Sequence, residues 1–259
     1  MAKYRSYVLA GTLEEAYALN QKKSSVIVAG NMWLRMCGLN KQTAVDLSLL
    51  GLDQIEETAD SFIVGAMTTL RTLETNAALH AAFGGAFQKA FAPIVGTQFR
   101  NSATIGGSVY SRFGFSDVSA LLLALDAEVV LYKRGAAKLA DYQKEDWDRD
   151  IITHIRIPKG QTADVQSVRV SGTDIPTLVC AAAKSSSGVR VVLGARPARA
   201  VIAADGLPED ASDAVYEEIA GKTAFGTNLR ASEDYRRKIA PVLMARAVKG
   251  CQEVTGHEC

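Results

Sequence analysis

The chain lacks most of the features that would narrow its role at once. Its 29 basic and 28 acidic residues nearly cancel, leaving a net charge of +1 over 259 residues. No long run of one sign occurs, so nothing marks an electrostatic footprint for nucleic acid. Apolar runs such as Ser119 to Leu125 are far too short to span a bilayer. The start, Met1-Ala-Lys-Tyr-Arg-Ser6, has no apolar signal-peptide core, and a cytoplasmic protein is expected. Four cysteines, Cys37, Cys180, Cys251 and Cys259, are scattered, with no Cys-x-x-Cys pair and no metal-like grouping with His80, His154 or His257. No metal site is expected, and Cys37 and Cys180 read as buried, inert thiols. There is no internal repeat, no low-complexity tract, no dinucleotide fingerprint for NAD, and no acid–base pair or nucleophile that must act.

What the chain does carry is concentrated between Thr97 and Leu131, TQFRNSATIGGSVYSRFGFSDVSALLLALDAEVVL. An Arg100-Asn101 pair, a Thr104-Ile105-Gly106-Gly107-Ser108 turn and Asp117 precede an apolar helix and a strand. Paired glycines let the backbone approach a ligand and point N–H groups at it. Thr104 and Ser108 flank them with hydroxyls, and Asp117 can accept hydrogen bonds from sugar-type hydroxyls. That surface suits a phosphorylated, polyhydroxylated cofactor; a glycine-rich turn between strands is the plain alternative.

The coarse element pattern is α+β. A βαβ start runs through a strand at Tyr7–Leu9, a Thr12-capped helix over Leu13–Asn20, and strands Ser25–Ala29 and Thr43–Leu47. The loop Gly30–Trp33 falls at a strand's carboxyl end, where ligands collect. Next come a strand at Phe62–Gly65, helices over Thr69–Ala78 and Leu79–Phe91, the helix Val118–Leu125, and strands Glu128–Tyr132 and Asp150–Ile157. Pro158-Lys159-Gly160 is a natural break. Beyond it, Val165–Val170, Pro176–Ser185 and Gly188–Leu193 read as antiparallel neighbours, followed by helices Asp213–Lys222 and Glu233–Val248. In the last, Tyr235, Ile239, Val242, Leu243 and Ala247 form an apolar stripe, with Arg236, Arg237 and Arg246 on other faces, and Pro241 should kink or divide it.

Three ordered segments resemble the FAD subunits of molybdenum hydroxylases, a family that includes the medium subunit of carbon monoxide dehydrogenase and the FAD domain of xanthine dehydrogenase. Arg100, Asn101, Ala103 to Gly107, Asp117 and Ala124 to Leu131 fit the second flavin segment, with Ser108 in place of the usual Asn. Val26-Ile-Val-Ala-Gly-Asn31 resembles the first flavin loop. Ala231-Ser-Glu-Asp-Tyr-Arg-Arg-Lys238 resembles the signature of the C-terminal domain. Two departures stand out: Met32-Trp33 replaces a hydroxyl and a carboxylate, and Tyr110 to Ser116 replaces a small, polar linker.

The resemblance implies a two-subdomain FAD-binding fold of the vanillyl-alcohol oxidase (PCMH) type over 1–158, with subdomains of about 1–54 and 55–158. An α+β C-terminal domain with an antiparallel sheet and helices follows over 161–259. It implies FAD held by Ala29, Gly30, Asn31, Met32, Trp33 and Leu34, and by Thr104, Ile105, Gly106, Gly107 and Ser108. Asp117 would bind the ribityl chain or ribose, unless it or Ser116 serves as the helix cap. Ile152 falls where the family places an aliphatic side chain near the flavin, and Arg169 where a Lys stands beside it; the alternatives are a sheet-core residue and a solvated strand face. Trp33 can stack on a ring or simply pack. Arg100 and Asn101 read as supports for the loop. The implied role is an oxidoreductase subunit that takes electrons from an iron–sulfur small subunit, beside a molybdopterin-binding large subunit, and passes them to NAD or another acceptor. A scaffold subunit that has lost flavin binding is the alternative, because the first loop is altered.

Overall fold

Thr12 marks the first change of direction. In the computed structural model, which describes residues 1–253, β1 (Lys3–Leu9) ends there and α1 (Leu13–Asn20) begins, with Thr12 Oγ1 accepting the Glu15 N–H at 3.1 Å. Glu14 and Glu15 sit at the positive end of the helix. β2 (Ser25–Val28) and β3 (Asn40–Asp46) complete a parallel sheet in the order β1-β3-β2. Its apolar side and α1 close over Ala10, Ala16, Val45, Leu47 and Ile151.

β4 (Ile55–Glu57) and β5 (Ser61–Gly65) form a hairpin. The stretch expected as two helices is three: α2 (Leu70–Thr75), α3 (Ala77–Ala82) and α4 (Ala86–Phe91). Asn76 ends the first, because its side chain accepts the Leu79 N–H at 2.9 Å and so starts the second. Two more short helices, α5 (Thr97–Arg100) and α6 (Ile105–Ser111), lead to the buried α7 (Asp117–Ala124). β6 (Glu128–Leu131) pairs with β7 (Gly135–Lys138), and α8 (Leu139–Tyr142) precedes β8 (Ile152–Pro158). These strands make a sheet in the order β4-β5-β8-β6-β7.

The final strands, β9 (Thr162–Val168), β10 (Leu178–Ser185), β11 (Gly188–Gly194) and β12 (Val201–Leu207), form an antiparallel sheet in the order β12-β11-β10-β9. α9 (Asp213–Lys222) and α10 (Glu233–Glu253) cover it. Leu178, Cys180, Ala182, Val191 and Leu193 face Tyr216, Leu243, Met244, Ala247 and Val248. Each fully buried Leu, Val or Met among them contributes roughly 1.5–3 kcal/mol.

α10 corrects two expectations. Pro241 lies inside one helix and does not divide it. The buried stripe is Arg236, Ala240, Leu243, Met244, Ala247, Val248 and Cys251, while Tyr235 and Val242 are exposed. Arg236 is fully buried because the chain wraps its guanidinium in acceptors: Thr177 O at 2.8 Å, Gly226 O at 2.6 Å, Ala231 O at 2.7 Å and Asn228 Oδ1 at 2.6 Å. The planar donor fork of arginine suits such a cage. Burial, then the nearby Arg230, lowers its pKa. Cys37 also differs from expectation: it is exposed, whereas Cys180 and Cys251 are buried. Burial pushes the Cys180 thiol well up and Cys251 up to about 12, which keeps both as inert thiols. Cys259 and His257 lie outside the described residues.

The chain forms two compact units that interleave along the sequence. One comprises Met1–Thr72, Thr97–Ser111 and Ala127–Ile157; the other comprises Leu73–Gly96, Arg112–Asp126 and the chain from Pro158 onward. No helix among the described residues is long and apolar enough to cross a membrane, and none of their His, Cys, Asp and Glu side chains group to hold a metal.

Candidate functional site

β2 and β3 are parallel neighbours, so residues 29–39 must carry the chain from the end of one to the start of the other. This crossing begins with two consecutive left-handed residues, Gly30 at φ +69° and Asn31 at φ +53°. A Cβ on Gly30 would overlap the carbonyl oxygen of Ser102 and lie 2.6 Å from its carbonyl carbon. A Cβ on Gly107 would lie 3.6 Å from Ala29 O. The first loop and the Ser102–Gly107 segment therefore meet within one unit, as the pairing of two distant glycine segments required.

The two contribute differently. Residues 104–108 do not make an open turn; Ile105 to Ser108 are the start of α6, and Thr104 immediately precedes it. A helix start leaves N–H groups without intrahelical partners, and here the protein takes them up. Ile105 N–H donates to Thr68 O at 3.0 Å, Gly106 N–H to Ala66 O at 2.9 Å, Gly107 N–H to Thr104 Oγ1 at 3.2 Å and Ser108 N–H to Thr104 O at 3.1 Å. Ser108 Oγ also donates to Thr104 O, at 2.8 Å. The expected donors of this segment are thus committed to the fold, and Gly106 is needed for packing: a Cβ there would sit 2.7 Å from Ala66 Cβ and O.

By contrast, the backbone N–H groups of Gly30, Asn31 and Met32 donate to no described residue. Gly30 is exposed, and Asn31 to Leu34 are half-buried. Successive N–H groups at a turn in this conformation form a concavity suited to an anion. Below the loop, Trp33 packs edge-on against Phe99, ring centroids 5.1 Å apart at 66°, which is the packing role rather than an open stacking face. Arg100 is buried and its Nη2 donates to Thr97 Oγ1 at 3.4 Å, a support role. Ile152 is buried in β8, and the neighbouring Thr153 O accepts the Ala66 N–H at 2.8 Å. Ala66 therefore ties β8 to the start of α6.

In the other unit, Ser116 takes the cap of α7, its Oγ accepting the Ser119 N–H at 3.1 Å. That leaves the Asp117 carboxylate for Arg169: Nη2 to Oδ1 is 2.5 Å, with both side chains almost fully buried. Arg169 also donates to Asp174 O at 2.7 Å, and Asp174 Oδ1 accepts Arg230 Nη2 at 3.1 Å. Burial pushes the Asp117 carboxyl up, and the Arg169 charge opposes that shift. Arg169, just past the end of β9, is neither a solvated strand residue nor an uncompensated cation.

Residues that composition and motif gave no reason to choose complete the loop's setting: Tyr4, whose hydroxyl donates to Asn31 Oδ1 at 3.0 Å, Ser102 beneath Gly30, and Ala66 against Gly106. None carries a motif. A hydroxyl-bearing residue in β1 was the single available signal for Tyr4.

This geometry accords with the comparisons. Residues 2–160 match the family described as the FAD binding domain in molybdopterin dehydrogenase, and the chain belongs to that family, an oxidoreductase family whose cofactor is FAD. The chain is 28% identical over 244 residues to the carbon monoxide dehydrogenase medium chain of Afipia carboxidovorans, covering 79% of this chain and 80% of that protein. It is 27% identical over 217 residues to the Escherichia coli K12 protein YgfM, covering 83% and 82%. Among solved structures, a Cu,Mo-CO dehydrogenase chain superposes with a TM-score of 0.88 at 23% identity, covering 98% of this chain and 99% of that one. A quinoline 2-oxidoreductase chain from Pseudomonas putida 86 gives 0.85 at 20% identity, covering 96% and 97%. These two likenesses bear out the α+β fold.

Proposed function

We propose that this chain is the FAD-binding electron-transfer subunit of a multi-subunit molybdenum hydroxylase, and that it sits in the cytoplasm. In this reading it takes electrons from iron–sulfur centres on a small subunit, beside a molybdopterin-binding large subunit, and hands them to NAD or another acceptor. The domain organisation that goes with it is an FAD-binding domain over 1–158 and a C-terminal domain over 161–259. The observation that carries the proposal is the unspent donor set of Gly30, Asn31 and Met32, seated against Ser102 and Gly107 inside the family-matched segment.

Bound FAD supplies the redox chemistry; the protein supplies binding, orientation and electrostatics. The three N–H groups meet the negative charge of a diphosphate at fixed positions, because the left-handed backbone of Gly30–Asn31 and its seat on Ser102 leave the loop little freedom. Trp33, packed edge-on against Phe99, supports the loop from the side of α5. Thr104 and Ser108 hold the start of α6, and their contribution to the cofactor is through that position.

Reconstitution tests the proposal. The purified chain mixed with FAD is expected to take up close to one FAD per chain with a flavin absorbance band. Failure to bind FAD, with co-purifying chains present, overturns it. One observation favours the scaffold alternative: the α6 donors are spent within the protein, and Met32-Trp33 supplies no hydroxyl or carboxylate. FAD binding that appears only after Met32→Thr with Trp33→Asp would establish that alternative.

A further inference from the structure

Ala2 and the first residues of β1 brace the crossing from β2 to β3. Ala2 N–H donates to Arg35 O at 2.6 Å, and Lys3 N–H donates to Leu39 O at 2.7 Å. Both act on backbone well beyond the left-handed pair. Tyr4 alone reaches that pair, donating its hydroxyl to Asn31 Oδ1 at 3.0 Å from 27 residues away. The contact is part-buried, and burial raises the Tyr4 pKa, so the hydroxyl keeps its proton at neutral pH.

An asparagine amide has an acceptor end and a donor end. With Oδ1 committed to Tyr4, the end left over is Nδ2, and it donates to no described residue. The sense of this matters beside a diphosphate, because phosphate oxygens only accept: Nδ2 attracts them, and a flipped Oδ1 repels them. We propose that Tyr4 is a positioning residue for FAD, holding the Asn31 amide so that Nδ2 joins the N–H groups of Gly30, Asn31 and Met32 as a fourth donor to the diphosphate. The inference rests on the FAD-binding reading above. It also gives a reason why the loop tolerates Met32 and Trp33: the side-chain donor comes from Asn31, and it is fixed from outside the loop.

The full chain, stripped of flavin and titrated with FAD and with riboflavin, provides the test. Tyr4→Phe removes one oxygen and is expected to weaken FAD about tenfold, the size of one good hydrogen bond to a charged group. Riboflavin, which has no phosphate, is expected to bind Tyr4→Phe and wild type alike. Tyr7→Phe removes a second β1 hydroxyl, one that donates to Asp46, and is expected to leave FAD affinity unchanged. In an Asn31→Gly background, which suits the left-handed backbone, Tyr4→Phe should weaken FAD no further. Equal FAD affinity of Tyr4→Phe and wild type overturns the inference, as does an equal loss for FAD and riboflavin. If Tyr4→Phe fails to fold, Asn31→Gly decides: wild-type FAD affinity there means that Nδ2 is no donor. Wild-type protein that takes up no FAD overturns the underlying reading, an outcome separate from these.

Discussion

Gly30 lies directly on the Ser102 carbonyl, so close that a β-carbon at Gly30 would occupy the position of that oxygen. The contact is between backbones, and no side-chain rotation relieves it. It joins the end of β2 to the stretch before α6 and sets where the free N–H groups of the loop can be.

Gly30→Ala therefore combines two penalties. A left-handed alanine costs about 1–2 kcal/mol, and forcing atoms into a packed contact costs about 1–3 kcal/mol more. We expect a loss of about 2–5 kcal/mol in urea unfolding, and weakened FAD binding even where the variant is folded. An alanine with wild-type stability and FAD affinity would refute the interlock.

Gly106 and Gly107 should part company under the same substitution. A Cβ at Gly106 meets Ala66 at 2.7 Å, backbone included, whereas one at Gly107 comes no nearer than 3.2 Å, to Thr104 Oγ1, with Ala29 O at 3.6 Å and Ala29 Cβ at 3.9 Å. Gly106→Ala is expected to cost about 1–3 kcal/mol. Gly107→Ala should be near neutral or gain up to about 1 kcal/mol of helix propensity. Thermal melts of the two variants compare these directly, and a larger loss at Gly107 would reverse the assignment.

Both glycines read alike in the sequence, which is why their roles were not separable there. Ligand approach and helix packing each require a missing Cβ, and the Ala66 contact that decides between them is nonlocal. What local chemistry governs was legible: the Thr12 cap and Leu13–Asn20 helix, the helix Asp213–Lys222, and the antiparallel run through β9, β10 and β11. The edge strands β4 and β7 were missed because they are short, and β12 because its apolar start, Val201-Ile202-Ala203-Ala204, shows no alternation. The stripe on α10 was misassigned for a tertiary reason. Arg236 is buried only because residues 177 and 226–231 bring carbonyls to it, and no periodicity announces that. Likewise, Asp117 as cap, sugar ligand or ion-pair partner was decided by Ser116 taking the cap and by Arg169, 52 residues away.

The Asp117–Arg169 pair gives a double-mutant test. Both side chains are almost fully buried, so removing one charge strands the other. Asp117→Leu or Arg169→Met alone is expected to cost about 3–5 kcal/mol, and Asp117→Leu with Arg169→Met much less than the sum. Denaturant unfolding measures stability, and FAD titration of the folded variants tests the sequence-based expectation that either residue touches the cofactor. Additive single losses would contradict the coupling.

Tyr7 offers a pH dependence with a defined sign. Its hydroxyl donates to Asp46, and that hydrogen bond, with some burial and the carboxylate charge, raises its pKa from 10.0 to about 12. The folded chain holds this proton more tightly than the unfolded chain, so the contribution is complete below about pH 10 and is lost as pH rises through about 12. Other groups titrate in the same range, so the informative quantity is the difference between wild type and Tyr7→Phe. Wild type should be the more stable at pH 9, with the gap closing steadily toward pH 12 in denaturant unfolding. The ring is more than half exposed, which makes the difference small at every pH. A gap that stays constant across that window would mean the hydroxyl does not donate to Asp46 in solution, and that β1 is held to β3 by backbone pairing and the Ser6 side chain, which bonds Gln42 O and Thr43 Oγ1 at 3.0 Å.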